Sequence, residues 1–176
     1  MSPSHCKRLF IALLPSVDMQ RRFASLLPLG SGGVAVKTHN LHATLVFIGK
    51  SAPEQEKAYR AVIAELDFAA MDLTFDTFGW WKMPRVLWVG AKQTPAELIV
   101  LVDLINRRLF EATGFVAEKR LFSLHITLAR KHPGLAPNWG ERAPLVWRAD
   151  TVALMESRST SDGVLYRPLL SCRSTR

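Results

Sequence analysis

Leu41-His42-Ala43-Thr44-Leu45 and Leu124-His125-Ile126-Thr127-Leu128 are nearly the same five-residue phrase, written twice. Each sits in a run rich in β-branched, aromatic and aliphatic residues, Leu41 to Gly49 and Leu121 to Leu128, and each run predicts a strand. Side chains alternate across a strand, so His42 and Thr44 share one face while Ala43 and Leu45 share the other. The same holds for His125 and Thr127 against Ile126 and Leu128. Each phrase therefore has an apolar side for a core and a polar side for a cleft.

The neighbouring segments fill in the architecture. Arg8–Leu14 reads as a buried strand, and Pro15-Ser16 opens a short helix to about Leu27, with Phe23, Leu26 and Leu27 facing the core. The stretch Gly30–Gly33 is a loop. Ser51-Ala52-Pro53-Glu54 has the form of a capping box and predicts a helix to about Leu66. Leu73–Phe78 alternates like a half-buried strand, Gly79–Arg85 reads as a loop, and Val86–Val89 as a strand. Thr94-Pro95-Ala96-Glu97 starts a helix whose residues Leu98, Leu101, Val102, Ile105 and Leu109 fall on one face, with Gly114 as its stop. Strands near Ala149–Met155 and Val164–Leu170 complete the order. Strands and helices do not alternate strictly, which points to an α+β fold with largely antiparallel sheets rather than a doubly wound parallel one. No linker divides the chain, so residues 1–176 read as a single domain.

Composition narrows the partners. Apolar residues make up 48% and charged residues 22% of the 176, enough for a sizeable core and against large-scale disorder. Lys plus Arg is 23 against 15 Asp plus Glu, a net charge of +8 that favours polyanions such as RNA and phosphorylated small molecules. Cys6 and Cys172 show no disulfide or zinc spacing, so a reducing cytoplasm is the expectation. The apolar run after Lys7-Arg8 ends at Pro15 and is too short for a signal peptide. No run approaches the ~20 residues of a membrane helix, so no membrane partner is expected. Nothing requires more than a monomer.

The polar faces of the two phrases carry the chemistry. Brought together, they place two imidazoles and two hydroxyls around one space. In-line phosphoryl transfer needs a base for the attacking water and an acid for the leaving oxygen, and imidazoles titrate in the right range. Threonine hydroxyls suit the non-bridging phosphate oxygens. This set calls for no metal and no cofactor. Arg130 falls two residues past Thr127 and is a candidate phosphate ligand, or a solvated strand end. Phe10 is a candidate for stacking on a base, or for the core. Trp80, Trp81 and Arg85 are candidates for a substrate rim; adjacent tryptophans on an extended segment cannot face the same side. His39 and His42 form H-x-x-H without a third ligand nearby, a poor metal site. His5 and His132 are expected to be exposed. Gly49-Lys50-Ser51 mimics the end of a P-loop but lacks its upstream glycine, and no G-x-S-x-G elbow is present.

These stretches together resemble the 2H phosphoesterase superfamily, and within it the bacterial RNA 2′,3′-cyclic phosphodiesterase (2′-5′ RNA ligase) family. The matching pieces are R-L-F-I-A-L-L-P at Arg8–Pro15, N-L-H-A-T-L-V-F-I-G at Asn40–Gly49, R-V-L-W-V-G at Arg85–Gly90, H-I-T-L-A-R at His125–Arg130 and S…G-V-L-Y-R-P-L from Ser157 to Leu169. The resemblance implies two lobes related by pseudo-twofold symmetry, one H-x-T motif from each, with a cleft between. It implies His42 and His125 as the catalytic pair, Thr44 and Thr127 as phosphate ligands, and RNA or oligonucleotide ends with a 2′,3′-cyclic phosphate as substrate. The product would be a 2′-phosphate, with reversible 2′-5′ joining as a side activity. His42 is assigned as acid and His125 as base. Other readings keep the site but change the substrate to 2′-5′ oligonucleotides or ADP-ribose cyclic phosphate, or make the chain a non-catalytic RNA-binding module. Leu124 stands where the family often has proline.

Overall fold

The computed structural model describes residues 6–28, 30–119, 121–134, 136–161 and 163–175. In chain order its elements are β1 (Lys7–Leu13), α1 (Val17–Ser25), β2 (Val34–Ala35), a 3₁₀ turn (Thr38–Asn40), β3 (Ala43–Ser51), α2 (Pro53–Ala64), β4 (Met71–Phe75), β5 (Thr77–Trp81), β6 (Val86–Gly90), α3 (Ala96–Thr113), β7 (His125–Arg130), β8 (Leu145–Ala149), β9 (Thr151–Thr160) and β10 (Gly163–Arg173). The α+β class is as expected.

Two four-stranded sheets carry the two motifs. One has the order β10-β9-β1-β3, the other β2-β7-β6-β5, and β4 pairs with β8. Every pairing is antiparallel. α2 packs on β9, β10 and α3, while α3 also meets β3. The apolar sides of both motifs enter one buried cluster: Leu41, Ala43 and Leu45 from the first, Leu124, Ile126 and Leu128 from the second. Burial of ~25 cal/mol per Å² of apolar surface is the main force holding this cluster together. It fixes the faces of β3 and β7 and so turns both imidazoles the other way.

The helix α3 forms as its periodicity predicts. Leu98, Leu101, Val102, Ile105 and Leu109 are all buried, and Gly114 ends it in a left-handed conformation (φ 72°). Its start differs from expectation, because the Thr94 hydroxyl does not cap it but accepts a 3.1 Å hydrogen bond from the Leu124 N–H. In α2, Gln55 rather than Glu54 closes the first turn, accepting from the Ala52 N–H at 2.9 Å, while Ser51 belongs to β3. At α1 the Ser16 hydroxyl does cap, accepting from the Met19 N–H.

The strand boundaries differ from expectation in several places. Gly79–Trp81 is not loop but the end of β5, because Trp80 and Trp81 pair with Leu87 and Val86. The single strand expected over Leu73–Phe78 is two, β4 and β5, that belong to different sheets. Leu121–Leu124 is not strand: the ladder with β6 ends at Gly90, opposite His125, one further bond runs from the Ala91 N–H to the Leu124 carbonyl, and Leu121 is exposed. β2 and β8 were not expected, although Leu145–Ala149 alternates buried and exposed residues cleanly. No described helix is long and apolar enough to cross a membrane, and both cysteines are free.

Candidate active site

The two motifs use the same device to aim their rings. His42 Nδ1 lies 2.6 Å from the carbonyl oxygen of Asn40, and His125 Nδ1 lies 2.8 Å from that of Ser123. A carbonyl can only accept, so in each ring Nδ1 carries the hydrogen and Nε2 faces the cleft. In both cases the carbonyl belongs to the residue two positions earlier, just before the strand settles into its ladder. Thr44 Oγ1 stands 3.0 Å from His42 Nε2, and its hydroxyl donates to the free lone pair of the neutral ring. His42, His125, Thr127 and Arg130 line one narrow cavity together with Val36, Asn40 and Tyr166. Thr44 and His125 line the adjoining one. The structure thus gathers both histidines, both threonines and Arg130 around one cleft.

Each imidazole is also held by aromatic edges. Tyr166 meets His42 edge-on with centroids 4.9 Å apart, and Trp81 meets His125 the same way at 4.7 Å. Trp88 backs His125 at 6.2 Å and touches Trp81 at 5.4 Å. The indole of Trp88 fits only because its cross-strand neighbour is Gly79: a Cβ there would fall 1.8 Å from the ring, and one on Gly90 2.8 Å from it.

Asn40, which the sequence reading passed over, ties the first motif to a strand far along the chain. It is buried, its Nδ2 donates to the Val164 carbonyl at 2.8 Å, and its Oδ1 accepts from the Tyr166 N–H at 3.1 Å. The same residue's carbonyl receives His42 Nδ1. Tyr166 then reaches back across the cleft, where Arg130 Nη2 donates to its hydroxyl at 3.2 Å. Asn40 and Tyr166 were visible only as members of matched stretches, since their partners lie 124 and 126 residues away.

Electrostatics set the protonation of His42. Burial is the largest influence and disfavours the charged ring; the bond to the Asn40 carbonyl opposes it, and the positive charges of Arg130 and His125 reinforce it. The net result lowers its pKa from 6.5 to about 4, so at neutral pH His42 is an unprotonated base at Nε2.

Other expectations fall out differently. Phe10 is 2% exposed, so it has no free face for a base; it packs under His42 at 4.9 Å and against Phe47 and Tyr166. The exposed cleft aromatics are Phe47 and Trp81. Trp81 faces the cleft while Trp80, its neighbour in the strand, does not line that cavity. Arg85 sits in the β5–β6 turn (φ 62°), its carbonyl accepting from the His132 N–H. His132 is buried, not exposed: the loop after β7 folds its ring in against Gly134. His5 lies outside the described residues. His39 is exposed in the 3₁₀ turn, and among the described residues no three His, Cys, Asp or Glu side chains gather as a metal site.

Comparison with known proteins gives a consistent set. A family model described as LigT like Phosphoesterase matches residues 17–88. The RNA 2′,3′-cyclic phosphodiesterase of Escherichia coli (strain K12) is 37% identical over 98 residues, which span 56% of this chain and 55% of that protein, little more than half its length. The protein of the same name from Archaeoglobus fulgidus is 31% identical over 138 residues, covering 73% of this chain and 77% of its own. The crystal structure of E. coli LigT in apo form superposes with a TM-score of 0.82 at 26% identity, over 98% of this chain and 100% of that one. LigT complexed with 3′-AMP gives 0.80 at 26% identity with the same coverage.

Proposed function

This chain belongs to the LigT-like phosphoesterase family of the 2H superfamily, and from that membership we propose that it opens a 2′,3′-cyclic phosphate at the end of an RNA. The observation that carries the reading is the paired device of the site: two imidazoles, each with Nδ1 tied to the carbonyl two residues back and Nε2 turned to one cleft.

The reaction needs little more. Water attacks phosphorus and gives its proton to one Nε2, while the bond from phosphorus to the ribose 3′ oxygen breaks and that oxygen takes a proton from the other. The products are a 2′-phosphate and a free 3′-hydroxyl. Thr127 and Arg130 hold the non-bridging oxygens, whose charge grows in the transition state, and Thr44 joins them when its hydroxyl turns from His42 Nε2 to the phosphate. The names of the relatives supply the cyclic phosphate as substrate, and the basic balance of +8 suits an RNA end. With a 5′-hydroxyl in place of water, the same attack on the cyclic phosphate breaks the bond to the 3′ oxygen and joins the two ends through a 2′-5′ phosphodiester; the reverse of that step cleaves it. The paired imidazoles argue against a pure binding module, which would use Lys and Arg instead.

The family resemblance makes His42 the acid and His125 the base. One observation favours the opposite polarity: burial leaves His42 unprotonated at neutral pH in the free protein. For His42 to act as acid, the negative charge of the bound phosphate must raise its pKa enough for the ring to take up a proton from solvent. A substrate with sulfur in place of the 3′ leaving oxygen separates the two, because a thiolate departs without protonation. The variant lacking the acid regains turnover on that substrate, and the variant lacking the base does not.

The test of the proposal is hydrolysis of 2′,3′-cyclic AMP and of a short RNA with that terminus, in EDTA. Turnover to a 2′-phosphate is expected, with a bell-shaped pH profile. Release of a 3′-phosphate, or no turnover with either substrate, would overturn it.

A further inference from the structure

The cleft is chemically lopsided. On the α3 side, the cavity beside His125 and Thr44 is lined by Phe47, Trp81, Leu121 and Phe122, and it carries a carboxylate, Glu118. On the other side, a cavity of about 330 Å³ opens between β2, the end of β7 and β10. Among its described lining residues are Lys37, Arg130 and Lys131, and none of those described is acidic. It shares Val36, Asn40, Arg130 and Tyr166 with the narrow cavity that holds both histidines, so the two adjoin.

This second arm has the makings of a nucleotide site. Its floor is apolar and open: Val34 is 59% exposed and Val164 41%. Such exposed aliphatic surface suits a ribose or a base face. Its cations are available. Lys37 and Lys131 are exposed and neither forms an ion pair with a described carboxylate. Lys131 is held in a left-handed conformation (φ 54°), one that a lysine adopts only under constraint. Its neighbours fix it from both sides: Arg130 pairs with Val34 and Val86, and the His132 N–H is bonded to the Arg85 carbonyl.

We propose that this arm is a subsite for the nucleotide preceding the cyclic terminus, with Lys37 and Lys131 binding the phosphodiester that joins the two. The inference rests on the cyclic phosphodiesterase reading and narrows it: the preferred substrate is an oligonucleotide end, not a free cyclic mononucleotide. The arm on the α3 side, with its carboxylate and aromatic walls, is the wrong place for a second phosphate.

The experiment compares wild type with Lys37→Ala/Lys131→Ala on 2′,3′-cyclic AMP and on an RNA tetranucleotide ending in the same group. Wild type is expected to have the higher kcat/KM on the tetranucleotide. In the double variant KM for the tetranucleotide rises roughly tenfold at low salt, its salt slope falls by about 1 to 1.5, and turnover of the mononucleotide is unchanged. Equal effects on the two substrates, no effect on either, or no wild-type preference for the tetranucleotide would overturn the subsite. The same selective loss in Arg8→Ala instead would also overturn it, by routing the chain past the cavity that holds Arg8 and Phe47. If wild type turns over neither substrate, the activity reading fails by itself. Anisotropy of a labelled tetranucleotide bearing a 2′-phosphate end then decides the subsite, which requires weaker binding by the double variant.

Discussion

His42 answers to its surroundings more than to its own chemistry. Its ring is walled by Phe10 and Tyr166, and the Asn40 carbonyl holds its Nδ1. Neutral in the fold down to about pH 4 and basic to 6.5 when exposed, it binds a proton more readily in the unfolded chain. Between those values the unfolded state therefore takes up more protons, and stability falls as pH is lowered from 6.5 towards 4. The lowering corresponds to at most about 3 kcal/mol. Urea titrations at pH 7 and pH 4.5 should show wild type losing more stability than His42→Phe, which has nothing to protonate there. Equal losses would mean that burial does not hold the ring neutral. Asn40 makes a second prediction at this scale. Asn40→Ala removes both bonds to β10, frees Tyr166, and loosens the carbonyl that orients His42. kcat on a 2′,3′-cyclic nucleotide is expected to drop by about 10- to 100-fold, with KM little changed. An unaltered kcat would show that the His42 tautomer needs no such support. His42 and His125 were legible because strand alternation is a local rule that two residues of spacing can reveal. Asn40 and Tyr166 were not, because their contacts are made across more than a hundred residues. Phe10 had two readings in the sequence, and only the packing of Phe47 and Tyr166 around it chose burial.

Among the elements, α3 was read most fully, since the 3.6-residue period of five buried side chains and a glycine stop are properties of the helix alone. Its neighbours were read less well, because a strand ends where its partner does. β7 begins at His125 because β6 stops at Gly90, and no pattern within Leu121–Leu124 announces that. Thr94 shows the same limit: a hydroxyl suited to a helix start was taken by the Leu124 N–H, just before the second motif. The attachment of α2 also depends on contacts across the fold. Glu56 Oε1 accepts from Arg60 Nε and Nη2, Oε2 pairs with Lys7 of β1 at 2.8 Å, and Arg60 Nη1 donates to the Leu169 carbonyl of β10. Burial alone would raise the Glu56 pKa, but the bonds and charges of Lys7 and Arg60 outweigh it and bring it below the usual carboxylate value. Glu56→Gln is expected to cost about 1–3 kcal/mol at pH 7 by urea denaturation. A group with a depressed folded pKa stabilises above its unfolded value and loses that effect as pH falls. The gap between wild type and Glu56→Gln should therefore shrink below the usual carboxylate range, and a constant gap would assign the loss to packing.

Across the whole molecule, two sheets with one shared core bring the polar sides of both motifs to a single cleft. The α+β class and the antiparallel sheets followed from the order of elements. The meeting of β3 and β7 was implied by the repeated phrase, whereas the lopsided lining of the cleft depends on loops that sequence patterns describe poorly. The central claim is that His42 and His125 work as a pair in that cleft. The most direct measurement is kcat/KM of His42→Ala and His125→Ala on an RNA with a 2′,3′-cyclic terminus, in EDTA, with circular dichroism to confirm that both variants fold. Each single change is predicted to reduce kcat/KM by at least about 10²- to 10⁴-fold. Near wild-type turnover in either folded variant would contradict the pair and place the chemistry on other residues.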